Sequence, residues 1–307
     1  MKETGILQQV VSSTASATKP ALSPRSITEP RRSLAIGEIL VAGGKLTPEQ
    51  VNQVLKAQAS TESRFGDLAV QLGLVKRADV DQALAIQFGY SSGNVNPAVP
   101  STLTAAVAPT APFAEALRGL RSQLMMRWFD GTPGQTTLTI TSVDRGDGKS
   151  FVTANLGVVF SQLGERTLII DADLRHSTQH TIFGLRNRMG LSSVLSGRAG
   201  FEEISQVEHF PKLSVLPAGP LPPNPLELLS RDEFALLLNE LSSHYDVILI
   251  DTPSAQQAAD AQVLAQRARG VLIVGRKDHT KASEIAQLAS IFTASGATVL
   301  GTTLNEY

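Results

Sequence analysis

The sequence predicts an α/β fold, in which helices cover both faces of a mostly parallel β-sheet, preceded by a small all-helical domain. Three observations support this prediction. Short β-branched apolar runs alternate with helical patterns over the C-terminal two thirds of the chain, as they do in βαβ units. A glycine-rich loop follows the first of these runs. Upstream, a shorter block repeats itself with apolar residues at helical spacing.

The predicted strands are continuous apolar segments rather than alternating ones. Residues 168–170 and 247–250 are apolar at every position, as a parallel sheet buried on both faces requires. Amphipathic stretches at 226–241 and 281–292 predict covering helices. The predicted strands span residues 137–143, 167–171, 213–216, 247–251, 271–275 and 298–304.

Composition excludes several classes of function. The 307 residues give room for about two domains, and 42% hydrophobic content is enough for a buried core. Lys and Arg number 27 against 28 Asp and Glu, so the net charge of −1 provides no global attraction to nucleic acid or anionic lipid. The absence of cysteine excludes disulfides, zinc–thiolate sites, Fe–S clusters and cysteine nucleophiles.

The N-terminal region has no apolar core of signal-peptide length, and no later stretch reaches the about 20 apolar residues of a membrane-spanning helix. We therefore expect a soluble, cytoplasmic protein.

Two segments rich in Ser, Pro and Ala divide the chain. Residues 1–32 lack an apolar period and are predicted as a disordered arm. Residues 91–110 are predicted as an interdomain linker. This leaves a helical domain at 33–90 and an α/β domain at 111–307.

The helical block aligns with itself at an offset of 29 residues. Gly37 and Gly44 of the first copy align with Gly66 and Gly73 of the second. Thr47, followed by proline and then by glutamine three residues after the threonine, is a helix-start signal. Each copy is therefore predicted to form a short helix, a glycine turn and a longer helix.

The glycine-rich loop is predicted to bind phosphate. Residues 142–150 read SVDRGDGKS and lie between a strand and a helix that is predicted to start near Phe151. Its glycines let backbone N–H groups approach phosphate oxygens, Lys149 would reach the β- and γ-phosphates, and the Ser150 hydroxyl would contact Mg²⁺. The loop thus predicts a P-loop NTPase fold that uses ATP and Mg²⁺. The predicted nucleotide-binding residues here are Gly146, Asp147, Gly148, Lys149, Ser150 and Phe151.

Acidic residues follow two further predicted strands. Asp171 and Asp173 close the run that begins at residue 167, and Asp251 closes the run that begins at residue 247. Carboxylates at the C-terminal ends of parallel strands face the crevice where α/β sheets bind ligands. There they hold Mg²⁺ directly or through water, and one of them could accept a proton from an attacking hydroxyl.

These motifs resemble those of a known family. Residues 111–307 resemble the cytoplasmic kinase module of the bacterial tyrosine autokinases, which work with polysaccharide chain-length-determinant proteins. GDGKS resembles the Walker A motif of that family, IIDADLR its Walker A′ motif and VILIDTP its Walker B motif. The resemblance implies an ATP-dependent protein-tyrosine kinase that regulates the polymerisation, export and chain length of an exopolysaccharide.

The resemblance also implies residue roles. Lys149 and Ser150 would bind phosphate and Mg²⁺, and Asp171 would help to activate the tyrosine hydroxyl. Asp173 and Asp251 would complete the metal environment. Asn305, at the close of the last predicted strand, resembles the family segment that meets the adenine. The predicted catalytic residues are Lys149, Asp171 and Asp173, and the predicted metal ligands are Ser150, Asp171, Asp173 and Asp251.

Assembly and partners are implied by the same family. Glu115, Arg118 and Arg121 fit its Glu-x-x-Arg-x-x-Arg helix, which joins subunits into a homo-oligomeric ring, whereas the simpler interpretation is a solvated charged face. The family needs an inner-membrane chain-length-determinant (Wzz-like) activator, so we expect a cytoplasmic protein held at the inner membrane by a partner. Relatives end in a tyrosine-rich tail, whereas here Tyr307 is the one candidate tail phospho-acceptor.

The repeat block resembles the N-terminal (MshEN-like) module of type II secretion and pilus ATPases, some of which bind cyclic di-GMP. Arg64, Gly66 and Gly73 match its pattern in the second copy, whereas Ala35 replaces the arginine in the first. The resemblance implies a cyclic di-GMP site at these residues. A plain protein-docking helical pair is the alternative.

Two other functions stay open at this point. One is an ATPase switch of the partitioning or division-site type. It is disfavoured because those proteins carry a lysine five residues before the main loop lysine, where this chain has Asp144. The other is an idle nucleotide-binding scaffold, which the retained Lys149 and the three acids disfavour.

Overall fold

A computed structural model describes residues 35–61, 63–87, 99–256 and 259–306. The predicted arm at 1–32, residues 91–98 of the predicted linker and Tyr307 lie outside the described residues.

The repeat block forms four helices, two from each copy. They are α1 (Ile36–Ala42), α2 (Pro48–Gln58), α3 (Phe65–Gln71) and α4 (Arg77–Gln87). The Thr47 hydroxyl accepts a hydrogen bond from the Gln50 N–H at 3.3 Å, and the Gln50 side chain accepts one from the Thr47 N–H at 2.8 Å. The predicted capping box at the start of α2 is therefore present.

Helices from the two copies interlock. Helix α1 packs on α4 and helix α2 on α3, so each short helix contacts the long helix of the other copy. Leu40, Val54, Leu68 and Val80 share one buried cluster. The apolar face of each copy is thus covered by its partner, which explains why a block this small needs two copies.

The other described residues include a seven-stranded sheet in the order β3-β4-β2-β5-β1-β6-β7. All neighbouring pairs are parallel except β3 and β4. The predicted mostly parallel sheet is confirmed. The strands are β1 (Thr137–Ser142), β2 (Thr167–Asp171), β3 (Ser205–Gln206), β4 (Leu213–Leu216), β5 (Val247–Asp251), β6 (Gly270–Arg276) and β7 (Thr298–Asn305).

Helices cover both faces of this sheet. On one face, Leu138 and Leu249 of the strands share a cluster with Leu156 and Phe160 of the helix that follows the glycine-rich loop. On the other face, Ile248 and its alternating neighbours pack on later helices. The helices are α5 (Thr104–Val107), α6 (Pro112–Arg127), α7 (Lys149–Leu163), α8 (Gln179–Ile182), α9 (Leu191–Leu195), α10 (Pro225–Ser230), α11 (Asp232–His244), α12 (Asp260–Ala268) and α13 (Ala282–Ala294).

Two local features differ from the sequence prediction. Helix α7 begins at Lys149 rather than near Phe151. The amphipathic stretch 226–241 is two helices because Arg231 is extended, with φ −66° and ψ 156°. The carbonyl of Ser230 accepts a hydrogen bond from the Arg267 side chain at 2.7 Å, so α10 ends on a side-chain donor.

The last residues of the predicted linker pack in the α/β unit. Leu103 and Ala106 are buried in the cluster beneath α7. The Asn155 side chain accepts a hydrogen bond from the Ala105 N–H at 2.9 Å and donates one to the Thr102 carbonyl at 2.9 Å. The alanines of 104–107 form a short helix because they pack closely there, a role that composition alone did not distinguish from a linker.

Within the part of the chain that the structure describes, no helix has the length and apolar character needed to cross a membrane.

Candidate functional site

Three adjacent strands bring the predicted site residues to one edge of the sheet. Strand β5 lies between β1 and β2 and is parallel to both, so the C-terminal ends of all three point the same way. The glycine-rich loop leaves β1, while Asp171 and Asp251 end β2 and β5. Ligands of parallel α/β sheets bind at this edge.

The loop after β1 has the backbone of a phosphate cradle. Gly146 and Gly148 have φ of +95° and +93°, a region that side-chain-bearing residues rarely adopt. Lys149 is the first residue of α7, so the loop runs directly into a helix N-terminus. That terminus carries unpaired N–H groups and the positive end of the helix dipole. The loop can therefore receive an anion, as the sequence predicts.

Lys149 lies against the acids of β2. Its Nζ is 3.4 Å from Oδ2 of Asp173, and both side chains are nearly buried. The same Nζ is 3.5 Å from the Ser150 hydroxyl. The structure thus gathers Lys149, Ser150 and Asp173 into one cluster of cation, hydroxyl and carboxylate.

Asp171 and Asp251 face each other across the β2–β5 ladder, where they are register partners, and both are fully buried. Burial raises the pKa of Asp171 well above its usual range, and the negative charges of Asp251 and Asp173 raise it further. Burial also raises the pKa of Asp251, against the opposing charge of Lys149 and hydrogen bonds from Gln179 and Ser150. Burial of two carboxyl groups at one edge thus disfavours their charged forms, and a bound cation would relieve this cost.

Gln179, a residue that the sequence analysis missed, ties this pair together. Its side-chain Nε2 donates to Oδ2 of Asp251 at 2.8 Å and to the Ser150 carbonyl at 3.0 Å. Its backbone N–H donates to Oδ2 of Asp171 at 2.9 Å, beside the Thr178 N–H at 3.0 Å. A single polar residue at the start of a four-residue helix carries no motif signal.

The remaining oxygens of these carboxylates fit a magnesium ion. In the residues that the structure describes, Oδ1 of Asp171 and Oδ1 of Asp251 are buried and have no hydrogen-bond partner. Such groups are costly unless a cation or donor satisfies them. No group of three or more acidic or histidine side chains is arranged for a metal among those residues. The two unpartnered carboxylate oxygens suit Mg²⁺, because this ion binds through one or two carboxylates plus phosphate and water.

The glycine-rich loop is anchored from the C-terminal side of the chain. The buried Asp147 carboxylate accepts hydrogen bonds from the Asp144 N–H at 2.9 Å and the Thr280 hydroxyl at 3.0 Å. The Asn305 side chain donates to the Asp147 carbonyl at 3.2 Å. Asn305, predicted to meet adenine, is nearly buried against the loop backbone, whereas the preceding Leu304 is 61% exposed.

Two other predicted residues have defined contacts. Arg175, which the sequence matched without a role, lies 3.3 Å from the buried Asp260 at the start of α12 and so joins the loop after β2 to the helix after β5. Phe151, in the first turn of α7, packs on Phe113 of α6 with ring centroids 5.2 Å apart.

The charged helix α6 directs its arginines onto the same chain. Arg118 pairs with Glu115 at 2.5 Å and donates to the Pro109 carbonyl. Arg121 donates to the Val159 carbonyl at 2.8 Å. The Glu115 side chain is 76% exposed. Arg121 therefore helps to hold α6 on α7.

The second-copy glycines of the helical block have structural roles, Gly66 in close packing and Gly73 in backbone conformation. A Cβ on Gly66 would lie 2.5 Å from a methyl of Val80, and Gly73 has φ +69° after the end of α3. Gly37 and Gly44 occupy the equivalent positions of the first copy. Arg64 is exposed just before α3. The glycine pattern is thus explained by the fold, and Arg64 is the exposed group of the predicted dinucleotide site.

Comparison with known proteins places the α/β unit in a family. The profile of the family described as "Cellulose biosynthesis protein BcsQ" matches residues 135–291, about half of the chain. The tyrosine-protein kinase YwqD of Bacillus subtilis (strain 168) is 40% identical over 169 residues, which cover 55% of this chain and 71% of YwqD.

Solved structures agree. The kinase domain of the Escherichia coli tyrosine kinase ETK matches with a TM-score of 0.62 at 33% identity, over 66% of this chain and 79% of that domain. The cell division ATPase MinD of Pyrococcus furiosus matches less well, with a TM-score of 0.50 at 27% identity, over 56% of this chain and 72% of MinD. The family profile, the kinase sequence and the kinase structure converge on one assignment. The chain belongs to the BcsQ family of P-loop proteins and, within that fold, to the bacterial tyrosine-protein kinases.

Proposed function

We propose that this protein transfers the γ-phosphoryl group of Mg-ATP to tyrosine hydroxyls. The observation that carries the proposal is the meeting of Lys149, Ser150, Asp171, Asp173 and Asp251 at one sheet edge, with two buried carboxylate oxygens left unpartnered among the described residues. A cation bridged to phosphate would satisfy those oxygens, and a P-loop lies beside them.

Each residue has a role in this chemistry. The backbone N–H groups of 146–151 and the Lys149 ammonium would hold the β- and γ-phosphates. Ser150, Asp171 and Asp251 would hold Mg²⁺, directly or through water, with Asp173 keeping Lys149 in place. Asp171 would accept the proton of the attacking tyrosine hydroxyl. Bound Mg²⁺ would supply charge neutralisation on the phosphates, and catalysis would be mainly positioning and electrostatic stabilisation.

The test replaces the loop lysine. Lys149→Met should reduce phosphotyrosine formed with ATP and Mg²⁺ at least about 100-fold, because electrostatic stabilisation of the transferred group is lost. Lys212→Met is the matched control, since Lys212 is an exposed lysine away from the site. Thermal melting of both variants verifies folding. Phosphotyrosine at the wild-type level in Lys149→Met would contradict the proposal.

The same assay separates the alternative functions. An ATPase switch would release phosphate from ATP without forming phosphotyrosine, even with an activator present. A scaffold would bind nucleotide and do neither. The higher similarity to the ETK kinase domain than to MinD favours the kinase.

We also propose a membrane-bound activator and a role in exopolysaccharide polymerisation and export. The activator would be the cytoplasmic tail of an inner-membrane chain-length-determinant protein, which would place the kinase at the inner membrane. Adding that tail as a peptide to the purified chain should raise the phosphotyrosine yield. An unchanged yield with a tail that binds would contradict this proposal.

A homo-oligomeric ring would assemble through α6. Glu115 is the exposed member of the predicted trio, so it would pair with a basic group of the neighbouring subunit. Glu115→Arg should shift the sedimentation coefficient toward monomer, whereas Glu208→Arg, at an exposed turn, should not. If both variants sediment as the wild type does, Glu115 is not part of the interface.

The phospho-acceptor is proposed to be Tyr307 or a tyrosine of another protein. Phosphopeptide mapping after incubation with Mg-ATP distinguishes the two. Label on the C-terminal peptide supports Tyr307. Label on a second protein with an unmodified C-terminus excludes Tyr307 as the acceptor.

The helical block is proposed to bind cyclic di-GMP through Arg64, which is exposed. A charge-assisted contact to phosphate contributes about 1.5–3 kcal/mol, so Arg64→Ala should weaken binding roughly 10- to 100-fold in calorimetry on the full chain. Lys56→Ala is the control. Absence of heat from wild-type protein at high micromolar dinucleotide would leave protein docking as the function of this block.

A further inference from the structure

Gln179 is a fully buried polar residue at the centre of the phosphoryl-transfer site, and the proposed mechanism does not use it. Three parts of the site meet at this side chain and its backbone. Nε2 contacts the end of β5 through Asp251 and the first turn of α7 through the Ser150 carbonyl, while the backbone N–H contacts the end of β2 through Asp171.

The amide has one more hydrogen-bonding atom than these contacts use. Both hydrogens of Nε2 are donated, to Asp251 and to Ser150, which leaves the carbonyl Oε1 as an acceptor. Within the described parts of the chain, Oε1 is buried and no donor reaches it. An unpartnered buried acceptor is costly, so a group that supplies a donor there would be favoured.

Three acceptors of this kind occur together. Oε1 of Gln179, Oδ1 of Asp171 and Oδ1 of Asp251 belong to residues joined by hydrogen bonds, through the backbone N–H of Gln179 to Asp171 and through its side chain to Asp251. All three atoms are buried and without a partner among the described residues. These three acceptors suit a hydrated cation, because its charge satisfies carboxylates and its water ligands donate to a neutral carbonyl. Mg²⁺ keeps several of its waters when bound.

We propose that Gln179 is a magnesium-positioning residue: its Nε2 fixes the Asp251 carboxylate, and its Oε1 accepts a hydrogen bond from a water on the bound ion. This inference rests on the proposed function, since it names a further residue of the same site. Residues that orient the ligands of a metal typically account for 10- to 100-fold in metal affinity.

The test measures cation binding directly. Mn²⁺ stands in for Mg²⁺ and is titrated into the complex of full-length protein with ADP, with the free ion counted from its electron paramagnetic resonance signal. Gln179→Met removes both hydrogen-bonding atoms at similar length. We expect its Mn²⁺ affinity to fall about 10- to 100-fold, while ADP affinity measured with a chelator present stays as in the wild type.

Gln162→Met is the matched control. Both polar atoms of the Gln162 side chain are buried and unpartnered among the described residues, as Oε1 of Gln179 is. Gln162 lies near the far end of α7, about 20 Å along the helix from Lys149. This variant should bind Mn²⁺ as the wild type does. Gln179→Asn, which keeps the amide but shortens its reach, is the second variant if Gln179→Met does not fold, and it should also lose affinity.

The outcomes separate this inference from the proposed function. Wild-type Mn²⁺ affinity in Gln179→Met or in Gln179→Asn overturns the positioning role alone. Loss of ADP binding in the presence of chelator also overturns it, because the residue would then support the pocket in general. Absence of Mn²⁺ uptake by the wild-type complex contradicts the magnesium site itself, and with it the proposed function.

Discussion

At the scale of single residues, the site combines buried carboxyl groups with oxygens that lack a partner. Asp171 and Asp251 are fully buried, and one oxygen of each has no donor among the described residues. A protein selected for stability alone would place neutral or apolar groups at these strand ends. The carboxylates therefore indicate that the edge is built for a ligand, and their cost to the folded state is measurable.

Asp171→Asn should stabilise the protein in the absence of nucleotide and metal. Burial and the charge of Asp251 hold the pKa of the Asp171 carboxyl well above its value in the unfolded chain, so the folded protein binds the additional proton. Stability therefore falls as pH rises through the interval between the two pKa values, and the neutral amide removes that loss. We expect a gain of at least about 1 kcal/mol near neutral pH, or roughly 2–4 °C in the melting temperature.

Differential scanning calorimetry with a chelator measures this gain. The control is Asp278→Asn, an exposed position whose φ of +58° suits either residue. A melting temperature of Asp171→Asn at or below the wild-type value across the neutral pH range would contradict this prediction. It would show that other groups of the folded protein already offset the cost of the buried Asp171 carboxyl.

At the scale of secondary-structure elements, the periodic signals were the reliable ones. The limits of β2, β4 and β5 agree with the prediction because their apolar runs end at charged or proline-containing segments. Strand β3 was missed because two residues carry no period. The break at Arg231 was missed because the Arg267 contact that ends α10 comes from a distant helix.

Candidate site residues likewise divide into those that a local sequence pattern predicts and those that depend on distant contacts. Lys149, Ser150 and the three acids lie in motifs next to predicted strands, and the structure brings them together. Gln179, Thr280 and Asp260 act through contacts with residues distant in sequence, and no local pattern indicates such contacts.

Two helical glycines differ in the space that surrounds them. Gly66→Ala would place a Cβ 2.5 Å from a methyl of Val80, whereas a Cβ on Gly119 of α6 would meet nothing within 4 Å. We expect Gly66→Ala to destabilise the helical block by about 1–3 kcal/mol through overpacking. Gly119→Ala should stabilise its helix by up to about 1 kcal/mol, because alanine has the higher helix propensity.

Hydrogen exchange of backbone amides reports both effects locally. Faster exchange in α3 and α4 is expected for Gly66→Ala, because Gly66 and Val80 lie in these two helices, and slower exchange in α6 is expected for Gly119→Ala. Unchanged exchange in Gly66→Ala would mean that Val80 moves aside without loss of stability. The close contact would then not explain why glycine occupies this position of the repeat.

At the scale of the whole molecule, the C-terminal strand supports the glycine-rich loop of the proposed nucleotide site. Strand β7 pairs in parallel with β6 at the edge of the sheet and carries Asn305 to the carbonyl of Asp147, 158 residues earlier in the chain. Thr280, between β6 and α13, reaches the side chain of the same aspartate. The glycine-rich loop thus depends on residues from the other end of the domain.

Asn305→Ala should weaken nucleotide binding about 5- to 100-fold, because a hydrogen bond that supports the loop contributes roughly 1–3 kcal/mol. If the residue acts by holding the loop, affinity for inorganic triphosphate falls as much as affinity for ATP. If it acts by contacting adenine, only ATP binding weakens. Calorimetry with both ligands decides between the two roles, with Thr302→Ala on the exposed side of β7 as control. Wild-type affinity for both ligands would contradict both roles.

The central claim is that the ends of β1, β2 and β5 converge on one Mg-ATP. A crystal structure of the full chain with Mg²⁺ and a non-hydrolysable ATP analogue tests it most directly. The account predicts that the β- and γ-phosphates lie at Lys149 and that the ion lies between Ser150 and the carboxylates of Asp171 and Asp251. A nucleotide bound elsewhere, or an ion that none of these three residues approaches, would contradict it.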